Sequence, residues 1–216
     1  MTTEKSIDLP RFYFLLHSHN YILPSHLFCF LCKKISVKHH EPEIVNKQKL
    51  VFLVGFMGTG KTHWGKLWAE KLKYLFVDLD DAIESAEQAT VHEIFEKKGE
   101  DYFRRKETDI LRQMLPKENT IIACGGGTPC FFDNMEWMNG NGITILLKSN
   151  AEYILENIKK QIGKRPLLKG MDDAEIRSFI ETKLNEREVF YNKATVNLDA
   201  QAVGINSIDK IISSKQ

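Results

Sequence analysis

The sequence predicts an α/β fold: a parallel sheet of five short strands with helices on both faces. Two observations carry this. From Leu50 onward, short apolar runs alternate with segments of helical periodicity. The first run, Leu50–Val54, leads directly into Gly55-Phe56-Met57-Gly58-Thr59-Gly60-Lys61-Thr62. That octapeptide fits G-x-x-x-x-G-K-[ST], a phosphate-binding loop joining a buried strand to a helix N-terminus. In open parallel sheets ligands sit beyond the carboxyl ends of the strands, so that edge is where chemistry is expected.

Each element follows in order. The first helix spans Lys61–Lys73, with Trp64, Leu67, Trp68 and Leu72 at helical spacing. Leu75–Val77 is a short strand running into Asp78-Leu79-Asp80-Asp81, and a helix carrying Ile83 comes next. Thr90-Val91-His92-Glu93 is a capping box, so a short helix starts there and stops before Gly99. Residues 100–115 read as a longer helix halted by Pro116. Thr120–Cys124 is a strand leading to Gly125-Gly126-Gly127, and Asp133–Asn139 is helical, closed by Gly140-Asn141-Gly142. Ile143–Leu147 is a strand, and Ser149-Asn150-Ala151-Glu152 caps the helix behind it. Residues 159–170 are basic, contain Gly and Pro, and read as a mobile loop. A long helix over Asp172–Tyr191, a strand at Thr195–Leu198 and a helix at Ile205–Ile212 complete the chain.

The first 48 residues differ. They hold five of the seven histidines and no amphipathic helix, and none of their apolar stretches reaches the ~18 residues of a spanning helix. Cys29-x-x-Cys32 followed by His39-His40 matches no strong zinc spacing. This segment is expected to be a poorly ordered, dispensable extension, or sequence upstream of the true start. Residues 49–216 form the expected domain. Among 216 residues, 43% are hydrophobic and 27% charged, enough apolar material for one core. A net charge of +1 argues against a broad nucleic-acid surface, and neither a membrane span nor a secretory leader is evident. Cys29, Cys32, Cys124 and Cys130 form no disulfide framework, which suits a reducing cytoplasm.

The residue types name a chemistry. Glycines let the loop backbone come close to an anion, and the helix start adds unpaired N–H groups. Lys61 supplies a point charge for outer phosphates, and the Thr62 hydroxyl can ligate the Mg²⁺ that nucleotides carry. If the strand stays extended through Asp80, Asp78 and Asp80 point the same way, one toward the metal and one toward an acceptor. Two aspartates at a helix N-cap would look the same. Arg104 lies near a helix start, where the dipole disfavours cations. An anion that recruits it, or a solvated face, would account for it. A triple glycine after a strand is entropically costly unless a backbone must lie against a ligand. Lys164-Arg165-Pro166-Leu167-Leu168 and Asn185-Glu186-Arg187 add two more arginines.

In order and spacing these motifs, across about residues 50–213, resemble the shikimate kinase family: the loop, D-x-D, G-E-x-x-F-R-x-x-E, G-G-G, R-P-L-L, and a helix arginine followed by an aromatic. The resemblance implies a three-layer α/β/α kinase with sheet order 2-3-1-4-5. It also implies transfer of the γ-phosphoryl of ATP to the 3-hydroxyl of shikimate, as part of aromatic amino-acid biosynthesis. By motif, Gly58, Thr59, Gly60, Lys61, Thr62 and His63 match nucleotide contacts, and Arg165 the lid arginine that reaches the phosphates. Thr62 and Asp78 match the Mg²⁺ site. Asp80 matches the residue that orients or deprotonates the nucleophile; Lys61 and Arg165 complete the catalytic set. Arg104 and Arg187 match the clamp on the shikimate carboxylate, with Glu107 positioning the first. Gly125, Gly126 and Gly127 match the backbone lying against the ring hydroxyls. ATP, Mg²⁺ and shikimate are thus the implied ligands, and a cytoplasmic monomer the implied form. Val189 stands where the family usually has proline, and the segment before Arg165 is short, leaving the role of Lys159 or Lys160 open. A gluconate kinase-like enzyme is the nearest alternative, and a non-catalytic nucleotide-binding relative the other. The latter would be expected to have lost Lys61, Asp78 or Asp80.

Overall fold

The structure is a computed structural model, and it describes residues 50–115, 117–160 and 170–213. The N-terminal extension with its Cys-x-x-Cys and the loop carrying Arg165 lie outside the described residues. Five parallel strands form one sheet in the order β2-β3-β1-β4-β5. They are β1 (Leu50–Val54), β2 (Leu75–Asp78), β3 (Thr120–Ala123), β4 (Gly142–Lys148) and β5 (Val196–Asp199). Among the described residues seven α-helices flank them: α1 (Lys61–Leu72), α2 (Leu79–Glu87), α3 (Val91–Arg112), α4 (Asn134–Asn141), α5 (Ala151–Lys159), α6 (Asp173–Tyr191) and α7 (Ser207–Ser213).

The central strand explains the layering. All five residues of β1 are buried, so alternate side chains feed opposite faces. Leu50, Phe52 and Val54 pack with Leu79, Ile83, Phe103, Leu111 and Met135 on one side. Val51 and Leu53 pack with Trp68, Ala69, Ile208 and Ile211 on the other. A third cluster seats the α5/α6 pair on the loop through Phe56, Ile154, Ile158, Ile176 and Ile180. Burying a side chain of this size is worth about 1.5–3 kcal/mol, so these faces dominate the stability.

Helix boundaries follow local chemistry. The Thr90 capping box is formed, and Asp172 makes a second with Glu175. The expected interruption at Gly99 is real: φ 81 and ψ 171 break α3 into two helical runs that meet at a kink. Three expectations need correction. The second run of α3 ends at Arg112 rather than 115. Gly140 and Asn141 extend α4, because Gly142 enters β4, where a Cβ would fall 2.4 Å from the Leu50 carbonyl oxygen. The extended geometry also stops at Asp78. That residue is the N-cap of α2, and its Oδ1 accepts from the Asp80 N–H at 3.1 Å.

Candidate active site

β1 ends at the loop, whose Gly55, Gly58 and Gly60 have φ of 136°, 81° and 92°. Only glycine adopts such angles without strain, and the resulting curl turns the chain into α1. Lys61 folds back so that its Nζ donates to the carbonyls of Gly55 at 2.8 Å and Phe56 at 2.9 Å. The Thr59 hydroxyl is spent inside the loop, donating to Phe56 O at 2.9 Å, so that side chain braces the turn. Asn157 of α5 donates to Gly58 O at 3.0 Å from outside. His63, in the first turn of α1, sets its ring edge-on to Trp64.

The Thr62 hydroxyl donates to Asp78 Oδ2 at 2.8 Å. Two hard oxygen donors, both at the carboxyl edge of the sheet and one of them anionic, fit a magnesium ion that keeps most of its waters. Asp80 is the second residue of α2, in its first turn, and is directed at the triple glycine: a methyl on Gly125 would lie 3.1 Å from its Oδ1 and 2.8 Å from Glu107 Oε1. Burial, followed by the charges of Asp78 and Glu107, pushes the Asp80 carboxyl up to about 6, against the pull of Lys61 and Arg104. That value suits proton transfer near neutrality.

The two arginines meet on the same glycines. A methyl on Gly127 would sit 2.7 Å from Arg104 Nη2, and one on Gly126 would sit 3.2 Å from Arg187 Nη1. A side chain at either position would push the guanidinium away. Arg104 is recruited by anions, as its place near a helix start suggested, and they are the protein's own. Its Nη1 donates to Glu107 at 2.9 Å, and its Nε and Nη2 both donate to Glu100 at 3.2 Å. Glu107 has no exposed surface, and its other oxygen accepts from the Thr128 hydroxyl at 2.5 Å. Phe131 lies 4.3 Å from the Arg104 guanidinium carbon, and Phe56 lies 5.3 Å from that of Arg187. Tyr191, one turn after Arg187, donates to Gly126 O at 2.6 Å and ties α6 to the glycine loop. Its hydroxyl is pushed up to about 12 by burial, so it stays a donor.

Thr128, Phe131 and Asn157 were not legible in the sequence; their only signal is proximity in the chain to the triple glycine or to a helix cap. The structure brings together Lys61, Thr62, Asp78, Asp80, Arg104, Gly125–Gly127 and Arg187 at one edge of the sheet. Arg165 lies outside the described residues.

A central phosphate-binding loop in a 2-3-1-4-5 sheet, with a separate pocket of arginines and a carboxylate beside it, defines a P-loop kinase fold. Comparison with known proteins narrows the class. A family model described as shikimate kinase matches residues 57–214. The shikimate kinase of Azobacteroides pseudotrichonymphae is 42% identical over 159 residues, covering 73% of this chain and 94% of the relative. The crystal structure of shikimate kinase from Bacteroides thetaiotaomicron superposes with a TM-score of 0.74 at 35% identity, over 77% of this chain and 99% of that one. Shikimate kinase from Acinetobacter baumannii, solved in complex with shikimate, gives 0.70 at 30% identity, over 78% and 95%. The chain belongs to the shikimate kinase family.

Proposed function

We propose that this protein transfers the γ-phosphoryl group of ATP to the 3-hydroxyl of shikimate, giving shikimate 3-phosphate and ADP. The observation that carries the reading is the convergence of Asp80, Arg104 and Arg187 on three glycines next to the phosphate-binding loop. It is a site for a small hydroxylated acid beside the loop that would hold the phosphates.

Phosphoryl transfer passes through a loose transition state, so the protein's contribution is position and charge. Lys61 and the loop amides bind the phosphates, and Arg165 serves as the basic residue of the lid. Thr62 and Asp78 would hold Mg²⁺, which when bound neutralises phosphate charge. Asp80 holds the attacking hydroxyl in line and accepts its proton late in the reaction. The guanidinium forks of Arg104 and Arg187 grip the carboxylate, a geometry that lysine does not reproduce. We further take residues 49–216 to be the catalytic domain, acting as a cytoplasmic monomer without nucleic-acid or membrane partners. The near-zero net charge supports that reading, as does the free state of Cys124 and Cys130.

A coupled ATPase assay comparing shikimate, gluconate and nucleoside monophosphates tests the substrate. Turnover with shikimate alone is expected; preference for gluconate would overturn the assignment. In the same assay, Arg104→Lys and Arg187→Lys should each raise KM for shikimate about tenfold or more, since a charge-assisted hydrogen bond is worth about 1.5–3 kcal/mol. The KM for ATP should change little. Equal effects on the two substrates would remove the arginines from the acceptor site.

The Asp80 environment adds a pH dependence. The base must be ionised, so kcat/KM for shikimate should rise with pH through about 6 and then level off. An acid limb centred near 4 would mean that Asp80 is solvated like an ordinary aspartate.

A further inference from the structure

Two arginines face the triple glycine, and two carboxylates already sit on one of them. Glu107 cannot leave Arg104: it is completely buried, bonds Nη1 at 2.9 Å, and is held from behind by Thr128. Moving it would strand a charge in the core. Glu100 is held differently. A single oxygen, Oε1, accepts from both Nε and Nη2 at 3.2 Å, and its side chain is 54% exposed. The opposite edge of the guanidinium, Nη1 and Nη2, lies against Gly127, 2.7–2.9 Å from where a methyl would be. The Nε/Nη2 fork is therefore the edge that a carboxylate arriving from solvent can take, and Glu100 occupies it.

We propose that Glu100 is a resident surrogate for the acceptor's carboxylate: it keeps the Nε/Nη2 fork of Arg104 paired until the acceptor's own carboxylate displaces it. The inference rests on reading the acceptor as a carboxylic acid. Charge balance supports it. Glu100 and Glu107 both face the single guanidinium of Arg104, so a third carboxylate there is in excess, and the exposed one is the one that yields. The break at Gly99, with φ 81, places Glu100 first in the second helical run of α3. Swung off Arg104, its carboxylate stays beside the unpaired N–H groups of that helix start, where negative charge is favourable. Exchange of like for like keeps the guanidinium paired throughout. It also sets a specificity rule: a neutral ring has nothing with which to evict Glu100, so acids are selected over their amides and esters.

The test is titration calorimetry on the full chain with two probes, shikimate and benzoate, together with steady-state kinetics of Glu100→Gln. Exposed ion pairs contribute little, so removing the competitor should tighten both acids about two- to fivefold. The KM for shikimate should fall in step, with kcat, the KM for ATP and the thermal midpoint unchanged. Glu100→Asp, too short to reach the fork, should behave like the glutamine variant. Weaker or unchanged binding of both acids would overturn the proposal and make Glu100 a brace for Arg104. Benzoate keeps the two readings apart. If the variant binds benzoate more tightly while the wild type does not phosphorylate shikimate, the surrogate stands and the substrate assignment falls. If shikimate turns over normally and neither acid tightens, the surrogate alone falls.

Discussion

Asp80→Asn is expected to lower kcat by about 10²–10⁴, the usual contribution of a positioned general base, while leaving the affinity for ATP intact. The substitution keeps the shape and one acceptor oxygen but removes the charge that orients the hydroxyl and finally takes its proton. Asp78→Asn should behave differently, because its partner is the Thr62 hydroxyl at 2.8 Å and its place is with the metal. Raised Mg²⁺ should therefore restore part of the activity of the Asp78 variant and none of that of the Asp80 variant; the reverse result would exchange the two roles. Stability supplies a second readout. The Asp80 carboxyl titrates near 6 in the fold and near 3.8 when exposed. The native state thus binds the extra proton in this window, and stability falls as pH rises from about 4 through about 6. Asp80→Asn removes that cost. It should raise the thermal midpoint at pH 7–8 and have little effect at pH 4, with a gain of at most ~3 kcal/mol from a shift of about two units. A midpoint lowered at neutral pH would mean that the ionised carboxylate is stabilised by its neighbours.

Lys61→Ala should cost about 10²–10³ or more in kcat, the range found when one preorganised donor to a developing anion is removed. The structure adds a reason for the loss to extend beyond a missing charge. The Nζ of Lys61 bonds the carbonyls of Gly55 and Phe56 and so closes the loop on itself. Its removal loosens the cradle as well as the contact, and the KM for ATP should rise along with the fall in kcat. Progress curves at saturating shikimate and varied ATP separate the two effects. Near-wild-type turnover would sink the kinase reading altogether.

The phosphate side of the site was legible because its chemistry is local: eight consecutive residues carry the turn, the charge and the hydroxyl. The helix starts at Thr90 and Asp172 and the break at Gly99 were legible for the same reason. The path after Asp78 was not. A strand end and a helix N-cap compete there, and one hydrogen bond from the Asp80 N–H to the Asp78 side chain settles it in favour of the helix. Glu107, three residues after Arg104, was read as its partner by resemblance; Glu100, four before it and also at helical-neighbour spacing, could have been read the same way. The raised proton affinity of Asp80 could not. Of its causes only the charge of Asp78 is near in sequence; burial, the largest, and Glu107, which the fold brings from α3, are set by the tertiary structure. Phe131 and Thr128 were hidden likewise, since a short 3-10 turn, Thr128–Cys130, sets their directions.

The strand order has a consequence for how the site comes apart. The phosphate loop hangs from β1, the middle strand, hydrogen-bonded on both sides and sealed between two helical layers. Asp78 and Asp80 hang from β2, an edge strand whose Leu75 is 60% exposed. Local opening free energies rise from the periphery of a fold to its centre. The nucleotide half of the site is therefore part of the last unit to unfold, and the edge carrying the two aspartates belongs to an earlier one. Under mild denaturant, amide exchange should reach β2 before β1, opening the edge that carries the two aspartates while the phosphate loop is still formed.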